Sequence, residues 1–101
     1  MRRGEIWRYR PVLERPGQST ARLIVSAEGI NRTEELPVVL GLNILASDPG
    51  TLLSVRLEPW GWGSALAVEQ VMRRRLVEHL DTVADDVMDQ VDAALRAALE
   101  L

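Results

Sequence analysis

The sequence predicts an α+β fold in which a small, partly open β-barrel of about five to seven strands is followed by a C-terminal α-helix. Short runs with the alternation or the apolar character of strands continue as far as Val71, and turns rich in Gly and Pro separate them. Beyond Val71 the apolar residues repeat with the period of a helix. We expect one domain, residues 1–101, because no linker or internal repeat divides the chain.

Five strands are predicted from these runs. In the first, Glu5–Tyr9, Ile6 alternates with Trp7 and Tyr9, and a polar, turn-rich segment follows it. The third is continuous and apolar, as expected of a central strand. The second to fifth predicted strands are residues 22–27, 37–45, 52–57 and 64–71.

The end of the chain is predicted to be helical. Residues 72–76 are expected to form a short helical turn that runs into residues 77–80. Asp81 or Thr82 is expected to cap a helix that begins near Ala84, because both side chains accept hydrogen bonds from free helix amides. One face of this helix is apolar, with Val87, Met88, Val91, Leu95, Ala98 and Leu99.

The charges are divided unevenly along the chain. The net charge is −3, yet residues 1–76 hold eleven basic and eight acidic residues, whereas residues 77–101 hold one basic and seven acidic residues. A basic body indicates a surface that binds a polyanion, and the acidic end indicates a solvated helix. Every basic residue is Arg, whose planar fork of donors matches phosphate oxygens.

The composition excludes several functional classes. The chain has no Cys and a single His, so we expect no disulfide framework and no thiolate or histidine metal site. Neither glycine-rich phosphate motif occurs, and we expect no cofactor. No apolar run has the length of a membrane helix, and the N-terminus has no signal-peptide core, so a cytoplasmic location is expected.

Four segments resemble one known family. Arg3-Gly4-Glu5-Ile6-Trp7 is similar to the RG[ED][IV][WY] opening of MazF/PemK toxins, and Gln18-x-x-x-Arg22 before Leu-Ile-Val-Ser is similar to their EQxGxRPVLV segment. Asn31-Arg32 stands where that family often has an Asn-Arg pair. Arg75-Leu76 and then Val91-Asp92-x-Ala94-Leu95-Arg96-x-x-Leu99 resemble their RL…VDEALRxxLGL ending. In this order the segments span nearly the whole chain.

The resemblance implies the toxin of a type II toxin–antitoxin system. Such a toxin would be an SH3-like barrel that forms a homodimer and cuts single-stranded RNA at short sequences without a metal ion. The RNA's own 2′-hydroxyl would attack, leaving a 2′,3′-cyclic phosphate. Arg22 falls on the family's catalytic arginine, and Gln18, Ser19 and Thr20 fall on the loop that covers and reads the RNA. The same groove would receive the acidic tail of a cognate antitoxin.

The sequence departs from the family at several site positions. Leu23 and Gly17 replace a Pro and an acidic residue, and the central strand lacks the Thr or Ser that works beside the catalytic arginine. Asn43 or Ser47 would have to substitute for that hydroxyl, and Ser47 is the second catalytic residue that we predict. Glu69-Gln70-Val71 has the letters of the family's Asp/Glu-Gln-Ile motif, but it lies later in the chain than alignment on the C-terminal motif predicts.

The arginines of the first strand are candidate RNA-binding residues. Arg3 precedes the strand, and alternation places Arg8 and Arg10 on the same face as Ile6. With the loop around Gln18 they are expected to form one positive surface, which holds either RNA or an acidic peptide. By contrast, the arginine run at residues 73–75 is expected to pair with the acidic helix.

The three tryptophans are candidate partner contacts. Trp7, Trp60 and Trp62 are expected to contact the antitoxin or the second subunit, because Trp is enriched at protein interfaces. Stacking of RNA bases on Trp60 and Trp62 is the alternative. His79 is expected to be an ordinary residue near the start of the helix.

Two other functions stay open. One is a catalytically degenerate or CcdB-like toxin of the same fold that acts by binding a protein target such as DNA gyrase. CcdB toxins end in Trp-Gly-Ile, whereas this chain ends in Leu99-Glu100-Leu101, which argues against the gyrase mechanism. The other is an SH3-like binding module with no toxin role.

Overall fold

The computed structural model describes residues 1–101. In chain order the elements are β1 (Glu5–Tyr9), β2 (Ala21–Ile24), α1 (Glu28–Arg32), β3 (Val38–Leu45), β4 (Ser54–Leu57), β5 (Gly61–Met72), a 3₁₀ turn (Arg73–Arg75), β6 (Leu76–Thr82) and α2 (Asp85–Leu99). All six strands form one antiparallel sheet in the order β4-β5-β3-β2-β1-β6. The predicted α+β class is confirmed, and the barrel is open because β4 and β6 do not pair with each other.

The predicted helical turn at residues 72–76 is present as the 3₁₀ turn Arg73–Arg75, but its predicted continuation into residues 77–80 is wrong, because these residues belong to β6. β6 pairs with β1, so that Trp7 lies opposite His79 and Tyr9 lies opposite Leu76. Four of the seven residues of β6 are charged or polar and exposed, a composition typical of an edge strand. Because most residues of β6 are polar, its sequence does not show the alternation of apolar and polar residues that predicts a strand.

The predicted helix cap is also wrong, whereas the helix itself is confirmed. Asp81 and Thr82 belong to β6, and α2 begins at Asp85 without a side-chain cap. Asp85 and Asp86 occupy its first turn, where negative charge is favourable next to the free amides. Neither α-helix is long and apolar enough to span a membrane.

Each face of the sheet carries an apolar core. The helix-side face packs against α2, and its buried residues are Ile6, Leu23, Val25, Leu42, Ile44, Val55, Leu57, Ala65, Val91 and Ala94. The outer face carries a smaller cluster of Ile24, Val39, Val71 and Leu76, against which Ile30 of α1 packs. Successive strand residues point to opposite faces, so Leu23 serves the first core and Ile24 serves the second. Arg22 therefore shares the outer face with Ile24.

The arginine run does not pair with the acidic helix, which corrects a third prediction. The guanidinium of Arg73 donates four hydrogen bonds of 2.9–3.1 Å to the backbone carbonyls of Ile30, Asn31, Thr33 and Leu36. A helix leaves its last carbonyls unpaired, and the rigid fork of Arg73 is the partner of the Asn31 and Leu36 carbonyls and a second donor to those of Ile30 and Thr33, which also accept backbone hydrogen bonds. Arg75 donates to the carbonyl of Arg10. The acidic helix is instead paired with Arg3, whose Nη2 lies 2.6 Å from Asp92 Oδ1.

Candidate functional site

Arg22 is buried at the start of β2, with 6% of its surface exposed. Its Nε lies 3.0 Å from Oε1 of Glu69, and its Nη1 donates to the carbonyls of Ser19 and Ala21. Its guanidinium stacks 4.0 Å from the centroid of the Tyr9 ring. Burying a charge is costly unless it is paired, and these contacts provide the pairing. Nη2 donates to no protein atom, so one end of the fork is left to bind an anion.

Glu69 reaches Arg22 from β5 across the intervening strand β3. Strand pairing places Glu69 opposite Gly41, which has no side chain to separate the two charges. A Cβ at Gly41 would lie 3.0 Å from Cγ2 of Val71 and 3.2 Å from the carbonyl oxygen of Leu23. The side chain of Glu69 is 41% exposed, so a ligand at Arg22 also has access to its carboxylate. The acidic motif therefore meets the arginine despite its unexpected spacing in the sequence.

Asn43, rather than Ser47, lies beside Arg22. The two residues are directly opposite in the β2–β3 pairing, so their side chains share the outer face. The Oδ1 atom of Asn43 is buried and has no hydrogen-bond partner. Ser47 lies in an exposed bend after the end of β3 and makes no hydrogen bond with Arg22. An unpaired buried polar atom beside a guanidinium is a feature that calls for a functional explanation.

The loop that precedes Arg22 lines a pocket at one end of the barrel, which we call the mouth pocket. Its volume is about 400 Å³, and Gln18, Ser19, Thr20, Arg8 and Trp60 contribute to its wall. The hydroxyl of Ser19 donates a 2.6 Å hydrogen bond to the carbonyl of Ile44. The carbonyl of Ser19 accepts from Nη1 of Arg22 at 3.2 Å. Ser19 therefore joins the mouth pocket to the arginine site.

The three N-terminal arginines do not form one surface. Arg8 lines the mouth pocket and pairs with Glu78 at 2.9 Å, with side chains 51% and 58% exposed. Arg3 faces α2, and Arg10 is exposed beyond the end of β1. Of the three, Arg8 alone lies beside the loop that was predicted to bind RNA.

The three tryptophans occupy three different environments. Trp7 stacks on His79, with the two ring centroids 5.6 Å apart. His79 lies opposite Trp7 on β6, so it is a strand residue and not, as predicted, a residue near the start of the helix. Trp60 follows β4, forms part of the mouth pocket and packs against the helix-side core. Trp62 lies in β5 with the guanidinium of Arg56 5.9 Å from its ring. Trp7 and Trp62 therefore offer partly exposed rings on the sheet, whereas Trp60 is a pocket wall.

Two of these indoles hold carboxylates in their charged form. Trp60 Nε1 and the amide of Thr82 donate to Asp81, and they lower the pKa of Asp81 below its usual 3.8. Burial alone would raise the pKa of Glu5. Hydrogen bonds from the Trp7 indole and the Arg2 amide, with the nearby charge of His79, outweigh that effect and bring the pKa of Glu5 below its usual 4.5.

The arrangement around Arg22 suits phosphate chemistry. The unpaired Nη2 is a donor of the kind that binds a phosphate oxygen, and the carboxylate of Glu69, a group of the kind that accepts protons, lies 3.0 Å from Nε of Arg22. No group of three His, Cys, Asp or Glu side chains is close enough to hold a metal ion. Arg22 and the loop before it were predicted as site residues from the sequence, whereas Tyr9, whose ring lies against the Arg22 guanidinium, was not. The alternation of Tyr9 with Trp7 on β1 was the available signal.

Comparison with known proteins identifies the fold. No protein-family model and no curated protein matches the sequence. Among solved structures, an endoribonuclease from a mycobacterial species superposes with a TM-score of 0.78 at 23% identity, covering 98% of this chain and 90% of that one. The mycobacterial endoribonuclease in complex with its cognate antitoxin gives a TM-score of 0.79 at 23% identity, covering 98% and 92%. MazF from Deinococcus radiodurans gives 0.73 at 18% identity, covering 98% and 94%. The chain therefore has the MazF fold.

Proposed function

We propose that this protein is the toxin of a type II toxin–antitoxin system and that residues 1–101 act as one endoribonuclease domain in the cytoplasm. The observation that carries the proposal is the buried Arg22, held by Glu69, Ser19 and Tyr9 with one terminal nitrogen free. The fold adds support, because the proteins that share it include MazF endoribonucleases. The substrate is single-stranded RNA.

The chemistry follows from the groups in the site. Glu69 takes the proton of an RNA 2′-hydroxyl, and the 2′ oxygen forms a bond to the adjacent phosphorus. The guanidinium of Arg22 stabilises the charge on the phosphorane oxygens. The bond from phosphorus to the 5′ oxygen then breaks, and this oxygen takes a proton from water; the hydroxide that remains takes the proton held by Glu69, which returns Glu69 to its carboxylate form. The products are a 2′,3′-cyclic phosphate and a 5′-hydroxyl, and because the substrate supplies the nucleophile, no metal ion is required.

Asn43 is proposed to take the position of the missing hydroxyl. Its side chain lies opposite Arg22, and its amide has hydrogen-bonding capacity that the protein does not use. Oδ1 is an acceptor, so the donor for the phosphate is Nδ2, which makes no hydrogen bond within the protein, and a preorganised site exploits such a donor. Ser47, the residue predicted from the sequence, lies in the exposed bend after β3.

The proposed partners are a cognate antitoxin with an acidic tail and a second copy of the chain. An antitoxin is supported by the fold, because structures of this fold include complexes with a cognate antitoxin and with MazE. A homodimer is supported by large apolar side chains left in solvent, with Leu66 66% exposed on β5 and Leu101 85% exposed after α2. Trp7 and Trp62 are the proposed aromatic anchors for these partners.

The test is cleavage of a long single-stranded RNA in EDTA by wild type, Arg22→Ala and the control Arg74→Ala. Arg74 is exposed, and its only side-chain hydrogen bond is a long one to the sulfur of Met72. We expect cuts at a short consensus with cyclic-phosphate ends, lost in Arg22→Ala and kept in Arg74→Ala. Folded, antitoxin-free wild type that leaves the RNA intact would contradict the nuclease and favour a toxin that acts by binding a protein.

A further inference from the structure

We infer that the mouth pocket binds one base of the RNA, a guanine, next to the cleaved phosphate, with Arg8 and Trp60 selecting it; this rests on the proposed function. The pocket is an open cleft at the mouth of the open barrel, a position where barrel folds commonly hold ligands. Its volume of about 400 Å³ is large enough for a nucleotide.

The position of the pocket relative to Arg22 indicates a neighbouring nucleotide. Ser19 lines the pocket, and its carbonyl lies 3.2 Å from Nη1 of Arg22. An RNA strand whose phosphate sits at Nη2 of Arg22 passes over this loop. The next base along that strand then enters the mouth pocket, while the phosphate stays on the outer face.

The walls of the pocket suit a flat, polar-edged ring. Trp60 contributes an aromatic ring, and Ile44 and Leu80 contribute apolar surface. The orientation of the indole is fixed, because its Nε1 donates a 2.7 Å hydrogen bond to Asp81. A base that stacks on a ring held in this way loses little additional freedom, and stacking on an aromatic side chain tolerates any base.

Arg8 makes the pocket selective for guanine. Its guanidinium carries two parallel donors, which match the O6 and N7 acceptors of guanine. No acidic side chain lines the pocket. The nearest carboxylates, those of Glu78 and Asp81, already accept hydrogen bonds from Arg8 and Trp60, so they are less available to the amino group of cytosine. The side chain of Arg8 is half-exposed and only its Nε is bonded to Glu78, so its two terminal nitrogens are available to a ligand. An acidic peptide would also attract Arg8, but it would leave the indole and the apolar wall against charged groups.

Nucleotide binding tests this assignment without requiring cleavage. The three indole N–H signals of ¹⁵N-labelled protein are followed while GMP, AMP, CMP or UMP is added, and Trp60→Phe identifies the Trp60 signal. We expect GMP to shift the Trp60 signal most strongly and to leave that of Trp62 nearly unchanged. Arg8→Gln should weaken GMP binding roughly 5- to 100-fold. Arg56→Gln is the matched control, because Arg56 is likewise an exposed strand arginine paired with a Glu, at 2.8 Å from Glu58.

The outcomes separate this inference from the proposed function. If no nucleotide moves the Trp60 signal, or if Arg56→Gln weakens binding as much as Arg8→Gln, the base pocket is overturned. The same holds if an Asp- and Glu-rich peptide moves the signal and nucleotides do not. Sequencing of the cut ends of a random RNA gives the second readout. Arg8→Gln should flatten the base preference at one position next to the cut, while an unchanged preference would leave the nuclease standing and remove the pocket from its specificity.

Discussion

The indole nitrogen of Trp60 donates a 2.7 Å hydrogen bond to Oδ2 of Asp81. Trp60 follows edge strand β4 and Asp81 lies in the other edge strand, β6, so this side-chain bond joins two edges that the backbone leaves unpaired. Gly61 makes the geometry possible, because its φ is +129° and a Cβ there would lie 2.1 Å from the carbonyl oxygen of Leu45. The bond fixes one wall of the mouth pocket and holds the barrel together at that end.

The bond makes stability depend on pH on the acidic side. The hydrogen bond from Trp60 lowers the pKa of Asp81, so its stabilising effect is complete above the usual value of 3.8 and is lost as the pH falls through the lowered pKa. We expect Asp81→Asn to melt at a lower temperature than wild type at neutral pH, and to lose less stability on acidification. Thermal melts across the acidic range measure both effects.

Asp89→Asn is the control for this experiment. Asp89 is exposed in α2 and makes no hydrogen bond or ion pair, so its removal should leave the wild-type dependence on pH in place. If the melting temperatures of wild type and Asp81→Asn differed by the same amount at every pH, the ionised carboxylate would not be what stabilises the contact between β4 and β6.

Arg73 should contribute strongly to the stability of the outer face. Its guanidinium satisfies four carbonyls at and beyond the end of α1, and Ala in its place leaves them without that partner. We expect Arg73→Ala to lower the free energy of unfolding by roughly 1.5–3 kcal/mol, the scale of a hydrogen bond to a charged group, because the carbonyls of Asn31 and Leu36 lose the guanidinium while those of Ile30 and Thr33 keep a backbone donor. Urea denaturation measures it.

The neighbouring arginine gives the comparison. Arg74→Ala should change the free energy of unfolding by less than about 0.5 kcal/mol, as is usual for an exposed side chain without a special contact. If both variants lost the same free energy of unfolding, the hydrogen bonds from Arg73 to the backbone carbonyls would not be what stabilises α1.

Local patterns predicted much of this fold, because they depend on residues close in sequence. The alternation of Ile6 with Trp7 on β1 and the repeat from Val87 to Leu99 on α2 each report one buried face, and both elements are where the sequence puts them. β6 was missed because its pairing with β1 stabilises it, while its own residues are mostly polar. The expected pairing of Arg73 with the acidic helix failed because nearby backbone carbonyls compete for its fork.

The site was only partly predictable for a related reason. The sequence identifies Arg22 through its motif, yet the meeting of Arg22 with Glu69 depends on strand register and on the missing side chain of Gly41. Register also decides between Asn43 and Ser47, since a shift of one residue moves a side chain to the other face. These contacts join residues far apart in sequence, so no local sequence pattern predicts them.

Asn43→Ala should reduce RNA cleavage more than Ser47→Ala does. Asn43 faces Arg22 across the β2–β3 ladder, and removal of a preorganised donor costs on the order of 10²-fold in rate. Its buried Oδ1 has no partner, so the Ala variant should be at least as stable as wild type. Single-turnover cleavage and thermal melts of both variants provide the measurement. A large loss of rate in Ser47→Ala, with Asn43→Ala unaffected, would restore the residue predicted from the sequence.

Arg22→Lys and Glu69→Gln should reveal whether the ion pair works as one catalytic unit. Lys keeps the charge of Arg22 but loses the fork that bonds Glu69, Ser19 and the phosphate together, and we expect a loss of at least about 10²-fold. Glu69→Gln still accepts the hydrogen bond from Nε but takes no proton from the 2′-hydroxyl, which should cost about 10²–10⁴-fold.

The double variant distinguishes a unit from two independent groups. If Glu69 deprotonates the hydroxyl while Arg22 holds the phosphate beside it, each group depends on the other, and the double variant should be little slower than the worse single variant. Cleavage rates of the four proteins under single-turnover conditions complete the cycle. If the fold-losses in cleavage rate of the two single variants multiplied in the double variant, Glu69 would act independently of Arg22. If Glu69→Gln cleaved as fast as wild type, the role of Glu69 would be to pair the buried charge of Arg22.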